Sequence, residues 1–175
     1  SWPFAVLAHK RLAHSVWPFL RESPVVALCD RDCFGGLPLE YPFSVVAVDV
    51  GGTKIACAVV RYENADAAPI ILSKRSIPTD AQQGGEVVLA RILDLVDDVR
   101  AEALSHGETI VGVGVATAGR VDVNTGNIAF ANEIMPGWSG QPLGDALRER
   151  FECPSAVLGD VQSHALGEAR WGAAR

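Results

Sequence analysis

The chain has 175 residues, 49% of them apolar and 21% charged, with a formal net charge of -6. That composition can bury one sizeable core, so a single domain with an appendage is expected. No window approaches the ~18 uninterrupted apolar residues of a membrane span, the N-terminus lacks a basic stretch leading into a continuous apolar one, and the negative balance gives no electrostatic basis for nucleic-acid binding. The expectation is a soluble, cytoplasmic protein without a membrane or nucleic-acid partner.

Residues 1–43 hold five prolines, Pro3, Pro18, Pro24, Pro38 and Pro42, and no lasting period, which reads as an irregular arm. Four basic and four acidic residues leave the arm neutral, so the net charge belongs to residues 44–175. The first residue is Ser rather than Met, which suggests a chain that is trimmed, processed or translated from an uncertain start. Cys29, Cys33, Cys57 and Cys153 are scattered and read as reduced thiols. "CDRDC" has no second pair to complete a tetrahedral zinc site, so no metal centre is expected of this chain's cysteines.

From residue 44 the pattern becomes regular. Val45–Val48 and Ile55–Val60 read as strands joined across two glycines, and "PIILSKRSIP" as a third, giving an antiparallel meander. In "GGEVVLARILDLVDDVRAEALSHG", Val88, Ile92, Val96, Val99 and Ala103 share one face, while Arg91, Asp94, Asp98 and Glu102 turn away. This is an amphipathic helix, closed by Gly107. "TIVGVGVA" reads as a buried central strand, which the crossover helix places parallel to the first. A loop or ribbon carries "GRVDVNTGNIAFANEIMPGW", followed by a helix in "QPLGDALRERF", a strand in "SAVLGD" and a last helix in "VQSHALGEARWGAAR". The sum is an α/β layer with a mixed sheet.

Two stretches carry chemistry. In "VVAVDVGGTKIACAVV", Gly51 and Gly52 can take positive φ and curl backbone N–H groups toward a phosphate, with a hydroxyl from Thr53 and positive charge from Lys54. Asp49 at the strand end suits a hydrated Mg²⁺. A plain hairpin turn explains the same glycines, although an acid within an apolar strand costs free energy unless it is exposed or partnered. In "AVLGDVQSHALGEARWG", Asp160 lies between a strand and a helix, where it can cap the helix or act as general base for a substrate hydroxyl. His164 reads as an ordinary helix histidine, and Trp138 and Trp171 as packing residues, Trp138 with some claim to line a cleft beside Asn132.

These two stretches, with "GVGVATAGRVDVNTGNI" and "MPGW" between them, resemble in order and spacing the N-terminal half of ROK-family sugar kinases and their repressor relatives, within the actin-like ATPase superfamily. The resemblance covers residues 44–175. It implies a ribonuclease-H-like lobe in which Asp49, Gly51, Gly52, Thr53 and Lys54 bind the phosphates of ATP with Mg²⁺. Asp160 would take the proton from a sugar hydroxyl, and Gly119, Arg120, Asn132 and Gly159 would fall at sugar contacts. The implied reaction is ATP-dependent phosphorylation of a hexose or N-acylhexosamine at the C6 hydroxyl. The "GRV" form and Gln162 lean toward N-acylmannosamine rather than glucose. Gly159 departs from the family's usual Asn, so one sugar contact is expected to be lost. The second phosphate loop, the adenosine pocket, further sugar ligands and a cysteine-rich structural zinc site are expected beyond Arg175, and the full-length protein can be a homodimer. Half a clamp is not expected to turn over alone. A sugar-sensing repressor, or a truncated inactive chain, are the alternatives, although the neutral, proline-broken arm makes a poor helix-turn-helix.

Overall fold

The computed structural model describes residues 40–64 and 70–163. Most of the expected arm, the Cys29 and Cys33 pair, His164, Trp171 and nearly all of the expected last helix lie outside the described residues.

Strand β1 (Phe43–Val50) is buried along its whole length, as its unbroken run of small and β-branched residues requires. It pairs antiparallel with β2 (Lys54–Tyr62), and β2 with β3 (Ile70–Pro78), which completes the expected meander. β3 is the outer strand, half-buried or exposed throughout, and it carries Lys74 and Arg75 as befits an edge. A 3₁₀ turn at Ala81–Gln83 leads into α1 (Gly85–Ser105), which crosses to β4 (Ile110–Thr117) beside β1 and parallel to it. A ribbon of β5 (Arg120–Val121) and β6 (Ile128–Phe130), then α2 (Leu143–Phe151), precede β7 (Ser155–Gly159), parallel to β4. The five-stranded order is β3-β2-β1-β4-β7.

The face of α1 expected to be apolar is buried, with Leu95 added to it, against Val46, Val48, Val113 and Val115 of the sheet. Leu143, Leu147 and Phe151 of α2 and Trp138 complete this core. Burial of each such side chain stabilises the fold by ~1.5–3 kcal/mol, the main reason both helices lie on the sheet. A smaller cluster of Phe43, Val45, Ala47, Val60, Tyr62 and Val111 covers the opposite face.

Register fixes where a ligand can sit. Val50 pairs with Thr117, and Thr117 with Gly159, so the three parallel strands end in one row. The chain therefore leaves each of them at the same carboxyl edge, through Gly51, Ala118 and Asp160, the edge where open α/β sheets hold ligands.

Candidate functional site

The hairpin between β1 and β2 is closed by Gly51 N–H donating to the Lys54 carbonyl at 3.0 Å. The expected positive φ is not what the glycines supply: neither Gly51 nor Gly52 has it. Close approach explains Gly52 instead, because a Cβ there would lie 2.7 Å from Ile134 Cγ2. The carbonyls of Gly51 and Thr53 both accept hydrogen bonds from Thr79, at 2.6 and 3.1 Å. The Gly52 and Thr53 N–H groups take no partner among the described residues. Two adjacent free amides at a strand end are a ready seat for an anion.

Asp49 sits one residue inside β1 and is 9% exposed. Burial, and secondarily the charge of Asp160, push its carboxyl from the ordinary 3.8 up to about 6. The two acids thus feel each other across the strand ends. Among the described residues no group of three or more His, Cys, Asp or Glu side chains gathers. Two carboxylates beside an anion seat nevertheless fit Mg²⁺, which is commonly held by one or two carboxylates together with substrate phosphates.

Asp160 is exposed and already helical, within a turn described over residues 160–163. That corrects the capping alternative. The residue in the cap position is Gly159, whose N–H donates to Gln162 Oε1 at 3.3 Å, while Ser163 Oγ donates to the Gly159 carbonyl at 3.0 Å. Asp160 Oδ1 accepts only the adjacent Val161 N–H, at 2.8 Å. Its other oxygen takes no hydrogen bond among the described residues.

The ribbon and the loop after it form the remaining wall. Gly119 has φ +101°, and a Cβ there would meet the Phe130 carbonyl oxygen at 2.7 Å, so turn and close approach both require glycine. Gly119 in turn crowds Gly159: a Cβ at 159 would stand 3.0 Å from the Gly119 carbonyl oxygen. A glycine at position 159 therefore lets the ribbon close on the end of β7. Asn132 Oδ1 accepts the Ile134 N–H at 3.2 Å and its carbonyl accepts the Met135 N–H at 3.0 Å, which folds the loop into a tight turn. Trp138 anchors that loop. It is fully buried, and its Nε1–H donates to Thr117 Oγ1 at 3.2 Å, so it packs and does not line the cleft.

Together these elements enclose a cleft of about 580 Å³. Gly51 and Gly52 form one wall, Gly119 and Arg120 another, with Asn132, Gly159 and Asp160 around them. Thr53 opens instead on a neighbouring recess with Gly52, Gln82, Gln83 and Ile134. Lys54, half-buried at the start of β2, borders neither. The guanidinium of Arg120 and the amide nitrogen of Asn132 have no partner among the described residues, which leaves two donors for a polar ligand. Thr79 and Ile134, which shape the glycine turn, escape the sequence reading because neither belongs to a period or a motif.

Residues 45–175 match the model of the ROK family. A glucokinase of Halalkalibacterium halodurans is 35% identical over 128 residues, 73% of this chain and 37% of that protein. An N-acetylmannosamine kinase of Escherichia fergusonii is 26% identical over 125 residues, 71% of this chain and 38% of that protein. The crystal structure of a ROK family glucokinase from Streptomyces griseus, in complex with glucose and AMPPNP, aligns with a TM-score of 0.59 and 32% identity over 75% of this chain and 38% of that one. The chain thus spans less than two fifths of the length of these relatives.

Proposed function

The chain belongs to the ROK family, and on that premise we propose that it is the N-terminal part of a two-lobe sugar kinase that phosphorylates a hexose or N-acylhexosamine at its C6 hydroxyl with ATP. Its mixed sheet with flanking helices is the actin-like ATPase lobe of such kinases.

In this reading bound Mg-ATP supplies the phosphoryl group. The Gly52 and Thr53 amides would receive phosphate oxygens, with the Thr53 hydroxyl beside them, and Asp49 would hold the hydrated metal, while Lys54, bordering neither recess, would act only as a more distant positive charge. Arg120 and Asn132 donate to sugar oxygens, and Gly119 and Gly159 let the walls approach. Asp160 accepts the proton of the attacking hydroxyl, a role worth about 10²–10⁴ in rate. Its second oxygen is available for that. Gln162, which leaned toward an N-acylmannosamine substrate, has a structural task at the Gly159 amide. The substrate class accordingly stays at hexose or N-acylhexosamine.

The observation that carries the reading is that the free Gly52 amide and Asp160 border one cleft. The test is ADP release by the product of the complete gene, with glucose, N-acetylmannosamine and N-acetylglucosamine compared. Sugar-dependent release is expected. Absence of sugar-dependent turnover with every hexose overturns the reading, and sugar-relieved binding to a DNA operator would install the repressor alternative in its place.

A further inference from the structure

We propose that Thr79 is the positioning residue of the glycine turn, its hydroxyl and amide holding two carbonyls of residues 51–53 inward so that the Gly52 N–H is turned out to a phosphate oxygen. This rests on the phosphate reading of that turn. Thr79 follows β3 and, though polar, is fully buried. A buried hydroxyl is costly unless bonded, and here both bonds go to the turn: Oγ1 donates to the Gly51 carbonyl at 2.6 Å and N–H to the Thr53 carbonyl at 3.1 Å. A peptide unit is planar and trans, so its C=O and N–H point to opposite sides. Drawing the Gly51 carbonyl to Thr79 therefore aims the Gly52 N–H away from Thr79, and Gly52 borders both the cleft and the neighbouring recess while Thr79 borders neither. The restraint matters because two consecutive glycines are a soft point in the backbone. A flipped peptide would offer the phosphate a carbonyl oxygen instead of an amide.

The residues flanking Thr79 are braced in turn. Arg91 of α1 donates Nε and Nη2 to the Pro78 carbonyl at 3.2 and 3.0 Å and pairs with Asp80 Oδ2 at 3.0 Å. Asp80 itself is held in the left-handed region at φ 51°. Thr79 touches no ligand in this scheme and acts only through the turn.

The test follows the Gly52 and Thr53 amides by ¹⁵N NMR while this chain is titrated with magnesium pyrophosphate. Wild type and Thr79→Ser are expected to respond alike. Thr79→Val is expected to bind about 3–10-fold more weakly, the worth of one hydrogen bond, with the ligand-free Gly52 amide already displaced. A Thr79→Val chain that melts like Thr79→Ser and binds as tightly overturns the proposal and leaves the phosphate turn standing. A folded wild type whose two amides ignore pyrophosphate removes the phosphate reading and the proposal with it. If Thr79→Val does not fold, Arg91→Met loosens the same bracket from the surface. A weaker response with unchanged melting then supports the proposal, and unchanged affinity overturns it.

Discussion

Asp49 is the residue whose chemistry and stability pull in opposite directions. In the unfolded chain its carboxyl titrates near 3.8, and in the folded chain near 6. Between those values the folded state keeps a proton that the unfolded state has released, so stability falls as pH rises from about 4 to 6 and stays low above. The full cost is about 3 kcal/mol at ~1.4 kcal/mol per tenfold change in binding. Asp49→Asn is therefore expected to resist urea better than wild type above pH 6, to lose that advantage below pH 4, and to abolish turnover in the complete gene product. Stability that stays flat in wild type between pH 4 and 6 would count against this account. Asp160→Asn tests the other half of the pair. Asn keeps an oxygen for the Val161 amide, so folding should hold, and removing the charge should lower the Asp49 pKa and leave stability at pH 7 equal or higher. Turnover should fall about 10²–10⁴-fold with sugar affinity little changed. A stable variant with near wild-type turnover would remove Asp160 from the mechanism.

At the scale of elements, the parts whose burial follows a period are legible in the sequence. The strands extend one or two residues at each end beyond Val45–Val48 and Ile55–Val60, and α1 buries the five residues that its 3.6-residue spacing puts together. Asp49, the glycine turn, Gly119, Arg120, Asn132 and Asp160 are legible because family motifs carry them, although only the folded register brings most of them to one cleft and leaves Lys54 outside it. Thr79, Ile134 and the conformations of Gly51 and Gly52 are not legible, because they are consequences of contacts between segments far apart in the chain. Gly85 is a similar case. As the first residue of α1 it looks like an ordinary helix start, yet a Cβ there would lie 1.9 Å from the Gly137 carbonyl oxygen in the loop that follows Asn132. Helix and site loop must part for any side chain to enter. Gly85→Ala, a substitution that favours helix formation by itself, is expected to destabilise the chain by about 1–3 kcal/mol through overpacking. It should also shift the fluorescence of Trp138. Unchanged stability in chemical denaturation would show that this contact is slack.

For the molecule as a whole, the cleft is unusual in its rim. Phe130, Ile134 and Val161 are 57%, 63% and 77% exposed and all border the same opening, in a chain that spans less than two fifths of the length of its relatives. Single exposed apolar side chains are ordinary, but a ring of them around one concavity favours contact with another surface. The chain's charge of -6 opposes self-association. Added salt distinguishes the two forces, because it screens repulsion and leaves apolar attraction in place. This 175-residue chain is expected to self-associate in sedimentation experiments at concentrations on the order of 10–100 µM. The association should strengthen from low to physiological salt, and Phe130→Ser with Val161→Ser should weaken it. Association that weakens with salt would assign it to ion pairs elsewhere on the surface, and a chain that stays monomeric at both salt concentrations would show that the rim is too small to drive it. Because Val161 adjoins Asp160, any surface that covers this rim also strips water from Asp160, whose charge acts on the buried Asp49. Cleft closure should then raise the Asp49 pKa further still, unless a cation enters between the two carboxylates at the same time.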